Sequence, residues 1–364
     1  MVCYKQAESH TLLVFTYSWL WWATCIAAAN NSLKPGDTLN TTSRLCSERN
    51  KYCMNFSPLM NPNSPLVYTT HLRIIYTVIS DDETVWIANR NRCVDKDSAV
   101  LMLNHSGVLK IESKDAKPII LYSSPQPLNN TEATLLDTGN FVLQQLHPNG
   151  TNTMLWQSFD YPTDALLPGM KLGVNHKTGH NWSLVSWLAD FDPRLGAFSL
   201  EWEPIRRELI IKERGRLCWT SGELRNNNGF MHKTNYLVVS NDDESYFTIT
   251  TSNEEDTYWT LLETGQLINS KGEDPARADL CYGYNTDGGC QKWEEIPTCR
   301  NPGDTFEMKE LYVHSKHISN LANSSYGPSD CRAICWKNCT CDGYTYYYDD
   351  ERTGCSFLHL NSTE

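Results

Sequence analysis

The chain has 364 residues, with 43 acidic against 31 basic side chains and a formal net charge of -12. That length can hold two or three domains with proper cores. The acidic balance excludes the basic footprint of a nucleic-acid-binding surface, so no nucleic acid is expected as a partner.

Residues 1–10 are polar and carry Lys5. The apolar stretches Leu12–Phe15 and Trp19–Ile26 follow, and then Ala27, Ala28 and Ala29. A basic start, an apolar stretch too short to span a bilayer comfortably and a run of small residues make the order of a secretory signal, so 1–29 reads as a leader cleaved at or shortly before Ala29. Past it, no run is long and apolar enough to be expected to cross a membrane. Two features downstream agree with export. Of the 14 cysteines, Cys3 and Cys25 leave with the leader, and the even number that remains is what complete disulfide pairing needs. Asn-x-Ser/Thr sequons open at Asn40, Asn55, Asn104, Asn129, Asn149, Asn181, Asn323, Asn338 and Asn361, with another at Asn30 beside the cleavage point. In an exported chain that density implies several N-glycans on surface loops.

From about Lys34 to Leu146 short β-branched and aromatic runs alternate with turns. The runs include Leu72–Ile79, Thr84–Ala88, Val100–Leu103, Val108–Ile111, Ile119–Tyr122, Ala133–Leu136 and Phe141–Leu143. The turns include Asn104–Gly107 and Asp137–Asn140. Many short strands with no helical period predict an all-β unit, and the echo of Leu101–Leu109 in Leu135–Leu143 suggests repeated strand-turn-strand units. A second β-rich block runs from Met154 to about Leu267. Its acidic stretches 241–244 and 253–256 read as solvated hairpin loops, since the Gly and closing Glu of a calcium loop are missing. Cysteines then concentrate. Cys281, Cys290 and Cys299 lie in a Gly-containing segment, and Cys331, Cys335, Cys339, Cys341 and Cys355 follow. The spacing predicts a short helix over 331–339 capped by Ser329 and Asp330, then a strand from Tyr344 to Tyr348.

No catalytic constellation is present. There is no His-Glu-x-x-His, no Gly-x-Ser-x-Gly, no phosphate loop and no dinucleotide fingerprint. Histidines at 71, 105, 147, 176, 180, 232, 314 and 317 are scattered singly, mostly in loops. The cysteine cluster lacks zinc spacing, and an oxidising compartment favours disulfides. The pairs Asp190/Asp192 and Asp349/Asp350 read as loop carboxylates with no evident cleft. Neither enzyme activity, nor a cofactor, nor a metal is expected.

Three segments carry a family resemblance: Thr84–Asn91 (TVWIANRN), Leu135–Leu143 (LLDTGNFVL) and, strongest, Leu155–Gly173 (LWQSFDYPTDALLPGMKLG). They resemble the plant S-domain, the bulb-type-lectin ectodomain of S-locus glycoproteins and of G-type lectin S-receptor-like kinases, over essentially the whole mature chain. The resemblance implies an all-β chain of bulb-lectin β-prism type, followed by a small disulfide-rich PAN/apple-like α+β module. The parts would be a leader at 1–29, a bulb-type lectin domain at 34–153, a second lectin-like or S-locus-glycoprotein region at 154–270, a cysteine-containing, degenerate EGF-like connector at 271–305 and a partial PAN/apple-like module at 306–364. In that module the order of cysteines suggests Cys331 with Cys355 and Cys335 with Cys341, with Cys339 left to reach back to Cys299. The mannose motif of the bulb lectins, Gln-x-Asp-x-Asn-x-Val-x-Tyr, falls on Leu136, Thr138, Asn140, Val142 and Gln144. Only Asn140 and Val142 match, as residues of a degenerate carbohydrate site. Unpaired sugar hydroxyls are costly to bury, so mannose binding through this motif is not expected. Trp156 and Phe159 read as packing residues.

The expected function is extracellular recognition, at the outer face of the plasma membrane or in the apoplast. The chain would act as the front of a receptor-like kinase or as a secreted relative without a kinase. Its partner would be a signal ligand (a small protein, a lipid-like molecule or a glycan) or a related ectodomain in a homo- or hetero-oligomer. The alternatives are a carbohydrate-binding lectin and a structural cell-wall glycoprotein.

Overall fold

The computed structural model describes residues 31–61, 64–78, 83–226, 228–231, 234–251, 257–308, 318–348 and 352–359. The expected leader, the sequons at Asn30 and Asn361, the acidic run 253–256, Asp349/Asp350, and His232, His314 and His317 lie outside them.

The strand-turn-strand text of the first block folds into three antiparallel sheets of four strands. Three short strands, Ser32–Leu33, Thr38–Asn40 and Leu45–Cys46, each start a different sheet. Three hairpin triplets then complete those sheets in reverse order. Tyr52–Asn61, Ser64–Tyr76 and Thr84–Ile87 join the third sheet. Val100–Leu103, Leu109–Glu112 and Ile119–Tyr122 join the second, and Thr131–Leu135, Phe141–Leu146 and Asn152–Gln157 the first. Side chains alternate along the strands, so Leu101, Leu103, Leu109, Ile111, Ala133 and Leu135 all face one interior. Three sheets around one apolar interior make a prism.

The second block repeats the plan. Ala165–Leu166, Leu172–Asn175 and Leu184–Ala189 each begin a sheet. The triplet Asp192–Glu203, Glu208–Glu213 and Arg216–Thr220 then completes the last. Asn228–Met231, Thr234–Ser240 and Glu244–Thr250 complete the middle one, and Trp259–Leu261, Gln266–Asn269 and Ala276–Arg277 the first. The one addition is Asn181–Trp182, a fifth strand on the middle sheet. The acidic stretch 241–244 is the turn of a hairpin, with Asn241 Oδ1 accepting from the Asp243 and Glu244 amides (both 2.8 Å). The two prisms share one continuous core, from Leu33 through Trp156 and Trp259 to Cys290.

The C-terminal module is a three-stranded antiparallel sheet, ordered Ile318–Leu321, Thr353–Leu358, Gly343–Tyr348, with the helix Pro328–Lys337 packed on it. The helix starts earlier than the sequence suggested. Gly327 is its extended N-cap and Pro328 takes the first helical position, where a missing N–H costs nothing. Asp330 Oδ2 accepts from the Gly327 amide (2.9 Å), while Ser329, inside the helix, donates Oγ to the Glu263 carbonyl (2.7 Å). The module's own core is Cys331, Cys335, Cys341, Cys355 and Phe357. Disulfides join Cys331–Cys355, Cys335–Cys341 and Cys299–Cys339, and elsewhere Cys46–Cys53 and Cys281–Cys290. Pairing is therefore incomplete among the described residues: Cys93 is a free exposed thiol and Cys218 a free buried one, which burial pushes up to about 11.

Candidate functional site

The position of the mannose motif is filled by the protein itself. Asn140 sits at the end of the turn before Phe141–Leu146 and is buried. Its Nδ2 donates to Gln157 Oε1 (2.8 Å), and its Oδ1 accepts from Ser158 Oγ (3.2 Å) and the Phe159 amide (3.3 Å). Val142 is 1% exposed and, alternating with the core-facing Phe141 and Leu143, is buried on the opposite face of the sheet. Thr138 accepts from the Asn140 amide (3.4 Å), and Gln144 lies in the strand opposite Glu132 and Met154. Asn140 and Val142 thus tie the turn to the segment after Gln157 and offer no free group to a sugar. Trp156 and Phe159 are buried; Tyr161, exposed, stacks on Trp156 with ring centroids 5.8 Å apart.

The motifs that carry the family resemblance weld the two prisms together. Trp86 Nε1 donates to the Tyr161 carbonyl (2.8 Å). Asn89 Oδ1 accepts from the Leu72 amide (2.8 Å) and its Nδ2 donates to the Arg92 carbonyl (2.8 Å), which fixes the turn after Thr84–Ile87. That turn aims Arg90 across the joint. Its guanidinium donates to the carbonyls of Pro193 (2.7 Å), Val185 (3.0 Å) and Ser186 (2.8 Å), a three-point clamp on the second prism. Asp164 is buried at the same joint. Desolvation pushes its carboxyl up and the Arg90 charge pulls it back down.

Beside this clamp lies a cleft of about 460 Å³, and all three modules contribute to it. Its floor is one face of the first prism's third sheet: Leu59, Thr69 and His71, where Leu59 pairs with Thr69 and the alternation of the strand brings Thr69 and His71 to the same side. One wall is the turn Arg90–Cys93. The other is the tip of the second prism's first hairpin, Asp190–Arg194, and Ser324 of the C-terminal module closes one end. Asp190 and Asp192, expected as loop carboxylates with no cleft, therefore do line one, because the fold brings residues near 70, 90 and 190 together. Both carboxylates are already paired, Asp192 with Arg194 (Nε–Oδ1 3.0 Å) and Asp190 with Arg352. Phe191, between them, holds a left-handed backbone (φ 63°), which is rare for a bulky residue and clusters at functional turns.

His71 is the buried polar group of the floor. Unlike the scattered loop histidines, it lies inside the strand Ser64–Tyr76 at 2% exposure. Its Nδ1 lies 3.1 Å from the Asn89 carbonyl, an acceptor only, so Nδ1 carries the proton and donates. Nε2 is then a lone-pair acceptor, and it has no partner among the described residues. Burial, aided by Arg73, lowers the ring to about 4 and keeps it neutral. The weak signal in the sequence was a histidine inside an alternating strand.

Of the expected glycan acceptors, Asn40, Asn129, Asn149, Asn181 and Asn338 are exposed and Asn104 and Asn323 half-buried. At Asn40, Asn149 and Asn338 the side-chain Oδ1 accepts both the amide and the hydroxyl of the threonine two residues on. Asn55 is different: it lies mid-strand opposite Arg73 with a buried Oδ1. Among the described residues no cluster of His, Cys, Asp and Glu is arranged to hold a metal, and no helix is long and apolar enough to cross a membrane.

Two three-sheet β units followed by a disulfide-cored, helix-on-sheet module make the architecture of a lectin-type, PAN-bearing chain. Comparison with known proteins agrees: residues 83–188 match the D-mannose binding lectin family and residues 299–361 the PAN-like domain. The chain is 36% identical to the G-type lectin S-receptor-like serine/threonine-protein kinase CES101 of Arabidopsis thaliana, over 97% of this chain and 46% of that protein. It is 33% identical to the kinase At1g67520 of the same plant, over 78% of this chain and 35% of that protein. The S-locus-specific glycoprotein BS29-2 of Brassica oleracea var. alboglabra is 32% identical, over 55% of this chain and 46% of that protein. The chain therefore carries the lectin and PAN-like S-domain of the G-type lectin S-receptor-like kinase relatives, and it spans less than half the length of each of these proteins. Among solved structures, the two-domain lectin Scilla campanulata agglutinin covers 64% of this chain and 93% of its own at 13% identity, with a TM-score of 0.23, too loose to equate residues.

Proposed function

We propose that this chain is an extracellular recognition module, the S-domain of a receptor-like kinase or of a secreted relative without a kinase, and that it binds a signal ligand or a partner ectodomain. One observation carries the reading: the mannose position is consumed by internal hydrogen bonds around Asn140, while a cleft walled by both prisms and the PAN-like module stays open. Ligand sites favour such domain junctions, and the cleft falls within the usual range of small-molecule sites, roughly 300–1,000 Å³. Export is supported by the leader-like start, the sequon density and the disulfides.

The test uses the full chain secreted from a eukaryotic host, run over an array of mannose-type glycans and over immobilised ectodomains of its receptor-like relatives. Saturable binding that Asn91→Trp, at the cleft mouth, abolishes is the expected result. Mannose binding that survives Asn91→Trp but is lost in Asn140→Ala would restore the lectin alternative. A folded, glycosylated chain that binds neither set would favour the structural-glycoprotein alternative.

A further inference from the structure

Building on that reading of the cleft, we propose that an N-glycan on Asn323 stands over its PAN-like end and sorts ligands by size, admitting a small molecule or one narrow peptide segment and turning away the broad face of a partner ectodomain. Three observations carry this. First, the attachment point is on the rim. Ser324, which closes one end of the cleft, is the middle residue of the sequon Asn323-Ser324-Ser325, and consecutive Cα atoms are only about 3.8 Å apart. The turn that holds the sequon is fixed. The Asn323 amide donates to the Leu321 carbonyl (2.9 Å), and the Tyr326 amide donates to the Asn323 carbonyl (3.0 Å). Gly327, next along, lies so close to Leu188 that a Cβ there would collide with the Leu188 carbonyl oxygen. The turn is therefore pinned to the strand Leu184–Ala189, which runs straight into the cleft wall at Asp190.

Second, the acceptor nitrogen is free. Asn323 Oδ1 accepts from the Ser325 amide (3.0 Å), which leaves Nδ2, the atom that carries an N-glycan, without a hydrogen-bond partner among the described residues. Exposed Asn40, Asn149 and Asn338 make the same bond to the amide two residues on. The sequon at Asn55 has no such freedom. Asn55, Ser57 and Leu59 share the face of the floor, opposite Arg73, His71 and Thr69. There Asn55 Oδ1 is buried, and the Ser57 hydroxyl of the sequon accepts from Arg73 Nε (2.7 Å).

Third, the sizes differ. A branched, hydrated N-glycan is bulkier than a cleft of about 460 Å³, so it covers the end and does not fill it. A stable protein–protein contact takes roughly 800 Å² from each partner, a patch far broader than the mouth of such a cleft. That patch would collide with the glycan. A slim ligand passes on the other side, over exposed Asn91, Arg92 and Cys93.

Cys93 reads the entrance, since it is a free exposed thiol on the cleft wall, whereas Cys218 is buried. The full chain is secreted from a eukaryotic host, and glycopeptide mass spectrometry should find Asn323 occupied. Alkylation of Cys93 by N-ethylmaleimide and by a polyethylene-glycol maleimide is then timed on the native chain and two variants. Ser325→Ala removes the sequon and keeps the backbone amide that Asn323 binds. Asn149→Gln removes a glycan from a turn that takes no part in the cleft. The polymer reagent should react about tenfold faster on Ser325→Ala than on the native chain, with the small reagent unchanged and Asn149→Gln like the native chain. An unoccupied Asn323 would overturn the proposal. So would polymer rates that Ser325→Ala leaves unchanged or that Asn149→Gln raises as much. None of these rates depends on a bound ligand, so such a failure leaves the recognition reading standing. Capture of a related ectodomain by the native chain, abolished by Asn91→Trp, would overturn the sorting by size while bearing out the cleft as a recognition site.

Discussion

At the scale of single residues, the side chains that make the family motifs recognisable serve architecture. Asn140 closes a turn with three hydrogen bonds, and the residue two positions on, Val142, is buried. Asn140→Ala leaves Gln157, Ser158 and the Phe159 amide short of a partner and should cost about 1–3 kcal/mol, read as a lower urea midpoint at unchanged slope. A loss of sugar binding with full stability would contradict this structural role. Arg90 acts at longer reach. Arg90→Met removes three carbonyl partners and leaves buried Asp164 without the nearby cation, at a cost of about 3 kcal/mol. Arg90→Lys should recover little, because a point-charge ammonium cannot span three carbonyls as a planar fork does. Adding Asp164→Asn to Arg90→Met should restore part of the loss in a double-mutant cycle, since the buried charge goes with it.

At the scale of elements, the helix Pro328–Lys337 shows how little apolar material holds the C-terminal module. Four of the five residues of its core are half-cystines. Its C-terminal carbonyls are satisfied by Arg300, which donates to Cys335 (2.9 Å), Trp336 (3.0 Å) and Asn338 (3.2 Å), and beyond the helix to Cys341 (3.1 Å). Its outer side is tied to the second prism. Asp330 receives two bonds of 2.7 Å from Arg214, and buried Arg332 reaches Glu213 at 3.4 Å. Replacing Cys331 and Cys355 by serine should therefore cost about 2–5 kcal/mol locally. Hydrogen exchange should then report early opening of the strands Gly343–Tyr348 and Thr353–Leu358, while the strands of the prisms keep their protection. Simultaneous loss of protection in Phe141–Leu146 would mean that the module and the prisms unfold as one unit.

At the scale of the whole molecule, the junction of prisms and PAN-like module carries two titratable groups with opposite pH dependence, half-buried Glu263 and buried His71. Glu263 is pushed up to about 7 by burial and by Asp190 beside it, with Arg352 of the PAN-like module opposing. A carboxyl raised in the folded state favours the protonated form. Its contribution is full below the unfolded value of about 4.5 and is lost as pH rises towards 7. His71 is lowered to about 4 by burial, with the Asn89 carbonyl and Asp192 opposing and Arg73 assisting. Its contribution is full above the unfolded value of about 6.5 and is lost as pH falls towards 4. Between about pH 4.5 and 6.5 the two slopes oppose. Thermal melts across that window should be nearly flat for the native chain. Glu263→Gln should expose a fall in stability on acidification, and His71→Gln a fall on alkalinisation. A Glu263→Gln profile parallel to the native one would remove Glu263 from the pH response.

How far the sequence alone reached is visible in the same elements. Strand periodicity, turn residues and the cysteine ladder were local signals. They marked the all-β blocks, the late helix and the cysteine-rich end, because side-chain alternation and turn chemistry depend on near neighbours. The failed match to the mannose motif was equally local, at Leu136, Thr138 and Gln144. The reverse-order closure that makes the second block a copy of the first was not legible, since it rests on pairings between strands far apart in the chain, such as Ala165 with Thr260. Nor was the cleft, where Thr69, Cys93, Phe191 and Ser324 become neighbours only after both prisms and the PAN-like module dock. Composition and short-range pattern determined the kind of chain and its class of fold. The cleft was decided by tertiary packing, because burial and charge pairing exist only once distant segments have removed water from one another.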